Sequence, residues 1–293
     1  IKNKQLSIPK INLTKTNLAI AIAVLIAAFA FFMYAKGAFS YPYLENDDPW
    51  GHAEGAKYVA VEKSIETSAV SLDKRFTGVR FFGYLDPYPP GYDMLMGVLH
   101  QTAPSLNWTL KFFNALIISL GILFFFFFAK DFLGDNKKAL FSTFTLGLIP
   151  AYFTHFIWAH SLIIAVFFPA LYAMQKIKAD KRWYIVLAVV TAGILLIQPS
   201  KIFKLIPMII MYLGIQWAIE RRWPRYEFTG LILGAILSLA WWFEKGKAML
   251  SIKYAARVDQ TAAEVAQSTG LFDLIGSTLR RLPQIFPPGG GSA

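Results

Sequence analysis

Seven stretches of the chain are apolar almost without interruption: residues 17–35, 112–129, 139–154, 161–175, 183–198, 203–219 and 228–243. The first, NLAIAIAVLIAAFAFFMYA, carries no charge over its 19 residues. As a helix it spans about 28 Å at ~1.5 Å per residue, close to the ~30 Å of a bilayer core. A signal peptide has a shorter apolar core and a small-residue cleavage site, so this stretch reads as a retained span. The others run shorter, several to only about 15–17 residues, and their ends are soft by a few residues. The pair 139–154 and 161–175 is joined by HFIWAH alone and predicts a tight helical hairpin. The pattern predicts an all-α integral membrane protein with about seven transmembrane helices.

The polar positions between these stretches are not random. Lys2, Lys4, Lys10 and Lys15 precede the first stretch, and Lys130, Lys137 and Lys138 follow the second. Lys176, Lys178, Lys181 and Arg182 follow the fourth, and Arg221, Arg222 and Arg225 follow the sixth. With a cytoplasmic N-terminus, all fourteen fall on the cytoplasmic side, as the positive-inside rule expects. The short loops opposite hold only Lys201 and Lys204. On this reading residues 1–16 are cytoplasmic, 17–243 form the membrane domain, and 244–293 form an outer segment.

The first outer loop, residues 36–108, exceeds seventy residues and is too long for an idle connection. After Asp48 and Pro49, the run WGHAEGAKYVAVEKSI has apolar positions near helical spacing. Pro49 suits the first helical position and Asp48 the cap before it. A second helix is predicted over 91–103, after the turn signal YPPGY. Neither is apolar enough to span. Both read as surface helices, with Trp50, Tyr58, Tyr84, Tyr88 and Tyr92 at the membrane interface.

Composition agrees. The chain is 56% hydrophobic and 16% charged, against about 25% charged in a soluble domain. It holds 26 phenylalanines, more than one soluble core of this size hides. The net charge of +11 would suit nucleic acid, but the basic residues flank apolar spans, so a nucleic-acid partner is set aside. There is no cysteine, which excludes disulfides, zinc thiolates and a cysteine nucleophile.

Against this basic background the stretch YLENDDPWGHAEGAKY, residues 43–58, gathers Glu45, Asp47 and Asp48, with His52 one turn on. A helix cap needs one carboxylate, and either aspartate can serve. Close carboxylates repel unless a cation or a hydrogen-bond network holds them. Asp48 and His52 share one helix face. Carboxylate oxygens with an imidazole suit a divalent cation such as Mn²⁺ or Mg²⁺.

A single span, a long outer loop opening on ENDDPWGHAEGAKY, two short loop helices, the YPPGY turn and a series of short spans resemble the C-type membrane glycosyltransferases. The nearest likeness is to the catalytic subunit of oligosaccharyltransferase and its archaeal relatives. The resemblance covers most of the chain in topology, but in motif mainly residues 43–58 and 84–93, with weaker support at 150–161. It implies transfer of a sugar or oligosaccharide from a polyprenyl-phosphate donor in the membrane lipid to a protein or lipid acceptor on the outer face. It implies a plasma membrane of a prokaryote or archaeon. The family's first-loop aspartate, which helps hold a divalent metal and orient the reacting groups, carries over to Asp47 or Asp48. Asp47 is favoured, because Asp48 is better placed to cap. The family's second motif falls in THFIWAHS, which has no acid and offers only His155 and His160, with His160 the better placed.

Lys201, Lys204, Arg80 and Asp86 are candidates for the donor and acceptor, and Arg75, Arg280 and Arg281 are further phosphate candidates. Snorkelling explains the two lysines better than phosphate binding does, and Asp86 reads first as a turn residue. The family's soluble C-terminal Trp-Trp-Asp domain has no counterpart in AWWFE, residues 240–244, which reads as an interfacial belt. Residues 245–285 hold two helical patches that resemble a segment closing over the site, or an amphipathic linker. Alternatives are a protein O-mannosyltransferase-like or lipid-sugar transferase, a transporter, and a non-catalytic scaffold. Transporters place ionisable groups within spans, and the first five stretches are nearly free of them.

Overall fold

The computed structural model describes residues 14–45, 47–65, 88–149, 152, 157, 159–198 and 202–260. Among the described residues the protein is all-helical, with nine helices and no strand. They are α1 (Lys15–Phe39), α2 (Asp47–Glu62), α3 (Gly91–His100), α4 (Leu106–Leu133), α5 (Asn136–Leu148), α6 (Ala159–Lys176), α7 (Trp183–Ile197), α8 (Ile202–Glu220) and α9 (Arg225–Gln260). The chain divides into two units, residues 1–245 and 246–293; of the second, 246–260 are described and helical.

Local chemistry sets several ends. Thr14 caps α1, its hydroxyl accepting from the Asn17 N–H at 3.1 Å. Ser105 caps α4 in the same way through Trp108. Helix α4 stops at Gly134, whose φ of +64° is the left-handed conformation that glycine takes without strain. The next residue, Asp135, caps α5 by accepting from Lys138 N–H at 2.8 Å. A glycine stop and an aspartate start thus fold α4 back into α5 within two residues.

The packing of α1 shows what kind of surface surrounds the molecule. Its inward stripe is small: Ala19, Ala23, Ala27, Ala30 and Ala38 are buried, with Tyr34 among them. This stripe packs against α4 and α5. Its outward face is large and apolar, with Leu25, Phe29 and Phe32 each more than 60% exposed. Small residues inside and large apolar residues outside are what a hydrocarbon solvent selects; water would select the reverse.

Each of the seven apolar stretches overlaps a helix, but their lengths differ. Among the described residues three helices are long and apolar enough to cross a membrane: Lys15–Phe39, Leu106–Leu133 and Arg225–Phe243 within α9. Helix Trp183–Ile197 is apolar but shorter. Helix α5 ends at Leu148 instead of reaching 154. Ile149 is extended, with φ −72° and ψ 117°, as a residue before proline prefers, and Pro150 follows it in the sequence.

The two loop helices are real, and they are docked. Helix α2 starts at Asp47, two residues before Pro49, so Asp48 lies in the first turn and not ahead of it. Helix α3 stops at His100 instead of 103. The two pack on each other and on the bundle, α2 against α4, and α3 against α4 and α7. Gly97 permits the close approach, since a Cβ there would meet the Ala56 carbonyl at 2.7 Å. Tyr58 and Tyr92 are therefore core residues, 3% and 1% exposed, and not the interfacial pair expected; Trp50 is exposed. Tyr84 lies outside the described residues.

Candidate functional site

The docked face of α2 carries Asp48, His52 and Gly55. His52 is buried, and its Nδ1 lies 2.7 Å from Oδ1 of Asp93 on α3, itself 1% exposed. The other ring nitrogen, Nε2, faces the backbone N–H of Ala159, the first residue of α6, at 3.4 Å. Nδ1–H donates to Asp93, and the Ala159 N–H approaches Nε2, so His52 is a strut between three helices.

Tyr92 completes the cluster. Its ring meets the His52 ring edge-on at 4.7 Å, and its hydroxyl faces Asn114 Oδ1 of α4 at 3.4 Å. Burial, reinforced by Asp93, holds the Tyr92 hydroxyl well above its ordinary range. Burial also pushes the Tyr88 hydroxyl up, with the negative charges of Asp93 and then Asp48 adding to it. Tyr88 therefore feels both carboxylates, which puts the half-buried Asp48 at the edge of the same cluster. Burial raises the Asp93 carboxyl above its ordinary value, and the charge and hydrogen bond of His52 pull it back only in part. Its second oxygen, Oδ2, has no hydrogen-bond partner among the described residues. That oxygen is packed against Gly55, where a Cβ would come within 2.4 Å.

The second expected motif meets the first here. His160 follows Ala159 directly, and its Nε2 lies 3.2 Å from Nε2 of Gln198, the buried C-cap of α7. The structure thus places Asp48 and His160 on the two elements that His52 joins. Asp47 opens α2, but its side chain lies outside the described residues, as do His155, Lys201, Arg80, Asp86, Arg75, Arg280 and Arg281. Lys204 is exposed in the first turn of α8.

A divalent cation needs more ligands than these. Among the described residues no group of three His, Asp or Glu is placed to hold a metal ion. His52 spends both nitrogens on protein partners, and Asp93 Oδ2 is closed off by Gly55. Of the expected ligands only Asp48 and His160 have described side chains.

Sequence reasoning passed over Asp93 in the cluster and a buried lysine elsewhere. Asp93 lies in GYDML with no acidic or histidine neighbour, and its partner is 41 residues away. Lys111 is 3% exposed and donates to the carbonyl of Tyr41, tying α4 to the chain after α1. A lysine one turn into an otherwise apolar helix was the available signal.

No protein-family model matches the chain, and no curated protein matches it.

Proposed function

We propose that the protein is a multi-pass membrane glycosyltransferase that takes a sugar from a polyprenyl-phosphate donor at the outer face. The observation that carries this reading is the contact between His52 and Ala159, because it joins the acidic first-loop helix to the THFIWAHS segment. Those are the two segments in which the resembled enzymes keep their reacting groups. The three long apolar helices support residence in a membrane.

In this reading the bond between sugar C1 and the donor phosphate oxygen breaks, leaving the electron pair on the phosphate. A bond forms from C1 to the acceptor hydroxyl or amide. The acceptor proton passes to the carboxylate of Asp48 or Asp47, acting as general base. His52 and Asp93 hold α2 so that this carboxylate keeps its place. Lys201 and Lys204, in the short outer loop between the fifth and sixth apolar stretches, would steady the departing phosphate. Protein and lipid are both admissible acceptors, and an O-mannosyltransferase-like enzyme uses the same arrangement.

The experiment is transfer of labelled sugar by the purified full chain from a polyprenyl-phosphate sugar to peptide or lipid acceptors, with Mn²⁺, with Mg²⁺ and with chelator. Label in an acceptor is expected. No transfer under any condition overturns the reading in favour of a scaffold or transporter, and equal rates in chelator remove the cation from it.

The proposed topology has seven spans, a cytoplasmic N-terminus and α2 outside. The chain has no cysteine, so single ones report cleanly. Lys57 and Ala179 are both exposed. An impermeant thiol reagent applied to intact cells is expected to label Lys57→Cys and to spare Ala179→Cys until the membrane is opened. Labelling of Ala179→Cys from outside overturns the orientation.

A further inference from the structure

The seam between α1 and α5 carries two features that the proposed chemistry does not use. At one end is a cavity of about 980 Å³ into which Lys15, Lys130 and Lys137 all converge. None of the three has an ion-pair partner among the described residues. Two carboxylates also line it. Asp131 is neutralised by Lys176 at 2.7 Å, and Asp135 is engaged as the cap of α5. The charge of Asp135 is offset in part by Lys138 and Lys137, so three lysines against this one carboxylate leave a positive end. The walls beside the lysines are apolar: Leu18, Ile22 and Leu140.

Further along the same seam is a second cavity of about 400 Å³, almost wholly apolar in character, formed by Ile26, Phe29 and Met33 of α1 with Phe144 and Leu148 of α5. The two helices run side by side, since residue numbers advance together from one cavity to the next. The apolar wall of α1 from Leu18 to Met33 covers about 22 Å at ~1.5 Å per residue. That exceeds one leaflet of a bilayer core of ~30 Å. A soluble anion would use the lysines and leave this wall bare.

We infer that the α1–α5 seam is a binding site for an anionic phospholipid of the surrounding bilayer, its phosphate held by Lys15, Lys130 and Lys137 and an acyl chain laid along the apolar groove. Basic pockets between membrane helices recognise acidic head groups through this same combination of unpaired cations and an apolar wall. The arrangement is independent of the proposed transfer chemistry. Head-group selectivity would come from the lysines and retention from the groove. Gly147 lines the apolar cavity and has only Ile26 Cγ2 near its missing Cβ, at 3.8 Å, so a larger side chain there grows into the groove.

The test uses the full chain purified in detergent and equilibrated with equal amounts of phosphatidylglycerol and phosphatidylcholine, with retained lipid counted by native mass spectrometry. Phosphatidylglycerol is expected to be retained preferentially. Each Lys→Gln change at 15, 130 or 137 is expected to weaken that retention about fivefold. These lysines are exposed or half-exposed, so folding is expected to survive, with helicity as the check. Gly147→Leu is expected to reduce retention of phosphatidylglycerol with all three lysines intact, and glycerol 1-phosphate is expected not to compete. Equal retention of the two lipids by the wild type, undiminished retention by the triple glutamine variant, or competition by glycerol 1-phosphate would each overturn the inference.

Discussion

Asp93→Ala is expected to be the most destabilising single change in the described site, costing about 2–3 kcal/mol of unfolding free energy. Asp93 is 1% exposed and accepts the His52 Nδ1–H at 2.7 Å. Its removal leaves that N–H buried with no acceptor and opens a small void against Gly55. Gly55→Ala is expected to act through the same pair, since its methyl would meet Asp93 Oδ2 at 2.4 Å and push it off His52. Once Asp93 is gone, the methyl has room. The double variant should therefore cost less than the sum of the two single changes, by roughly 1 kcal/mol or more. Thermal unfolding in detergent measures the cycle, and strictly additive costs would show that the two positions do not share one strained contact.

The same pair gives a pH dependence with a definite sign. Burial raises Asp93 above its ordinary 3.8, so the folded state keeps this proton to a higher pH than the unfolded chain does. Asp93 thus contributes stability that is fully present below 3.8 and is lost as pH rises through the folded value. Asp93→Asn is expected to flatten that part of the stability profile. An unchanged slope in the variant would place the titration elsewhere.

How far these features were readable from sequence depends on the range of the interaction that makes them. The first apolar stretch was legible as a helix, because an uncharged run acts within a few residues; the helix begins two residues earlier, after the Thr14 cap, and runs four residues further. The start of α4 was read six residues late. Its first turns carry Asn107, Trp108 and Lys111, which break an apolar pattern but not a helix that Ser105 has already capped. The α2 start was read two residues late, because proline at a first helical position is a preference and not a rule. Tyr58 and Tyr92 were read as interfacial because aromatic residues in a polar loop look so locally. Their burial follows from α2 and α3 docking closely across Gly97, which no window of sequence reveals. Asp93 was invisible for the same reason: a lone acid gains meaning only when a helix 41 positions away brings His52 to it. Asp48 and His160 were legible as residue types, and their joining through His52 and Ala159 was not.

Asp48→Asn is expected to lower sugar transfer by at least about 100-fold while changing stability by no more than about 1 kcal/mol. Asp48 is half-buried, shares the face of α2 that carries His52, and reaches Tyr88 with its charge. It lies in the first turn of α2, which starts at Asp47. A first-turn negative charge is worth about 0.3–1 kcal/mol to the helix dipole. Asparagine preserves its shape and most of its helix-start chemistry but cannot take a proton from an acceptor. Turnover and stability therefore separate at this position, whereas at Asp93 they fall together, because Asp93 acts by holding α2 in place. Asp47→Ala run in parallel assigns the base. Loss of transfer in Asp48→Asn with retention in Asp47→Ala gives the role to Asp48, and the reverse gives it to Asp47, as the family resemblance favours. If both variants unfold like the wild type and both transfer sugar within about threefold of it, the acids of this loop serve only to start a helix, and the catalytic reading of the site fails.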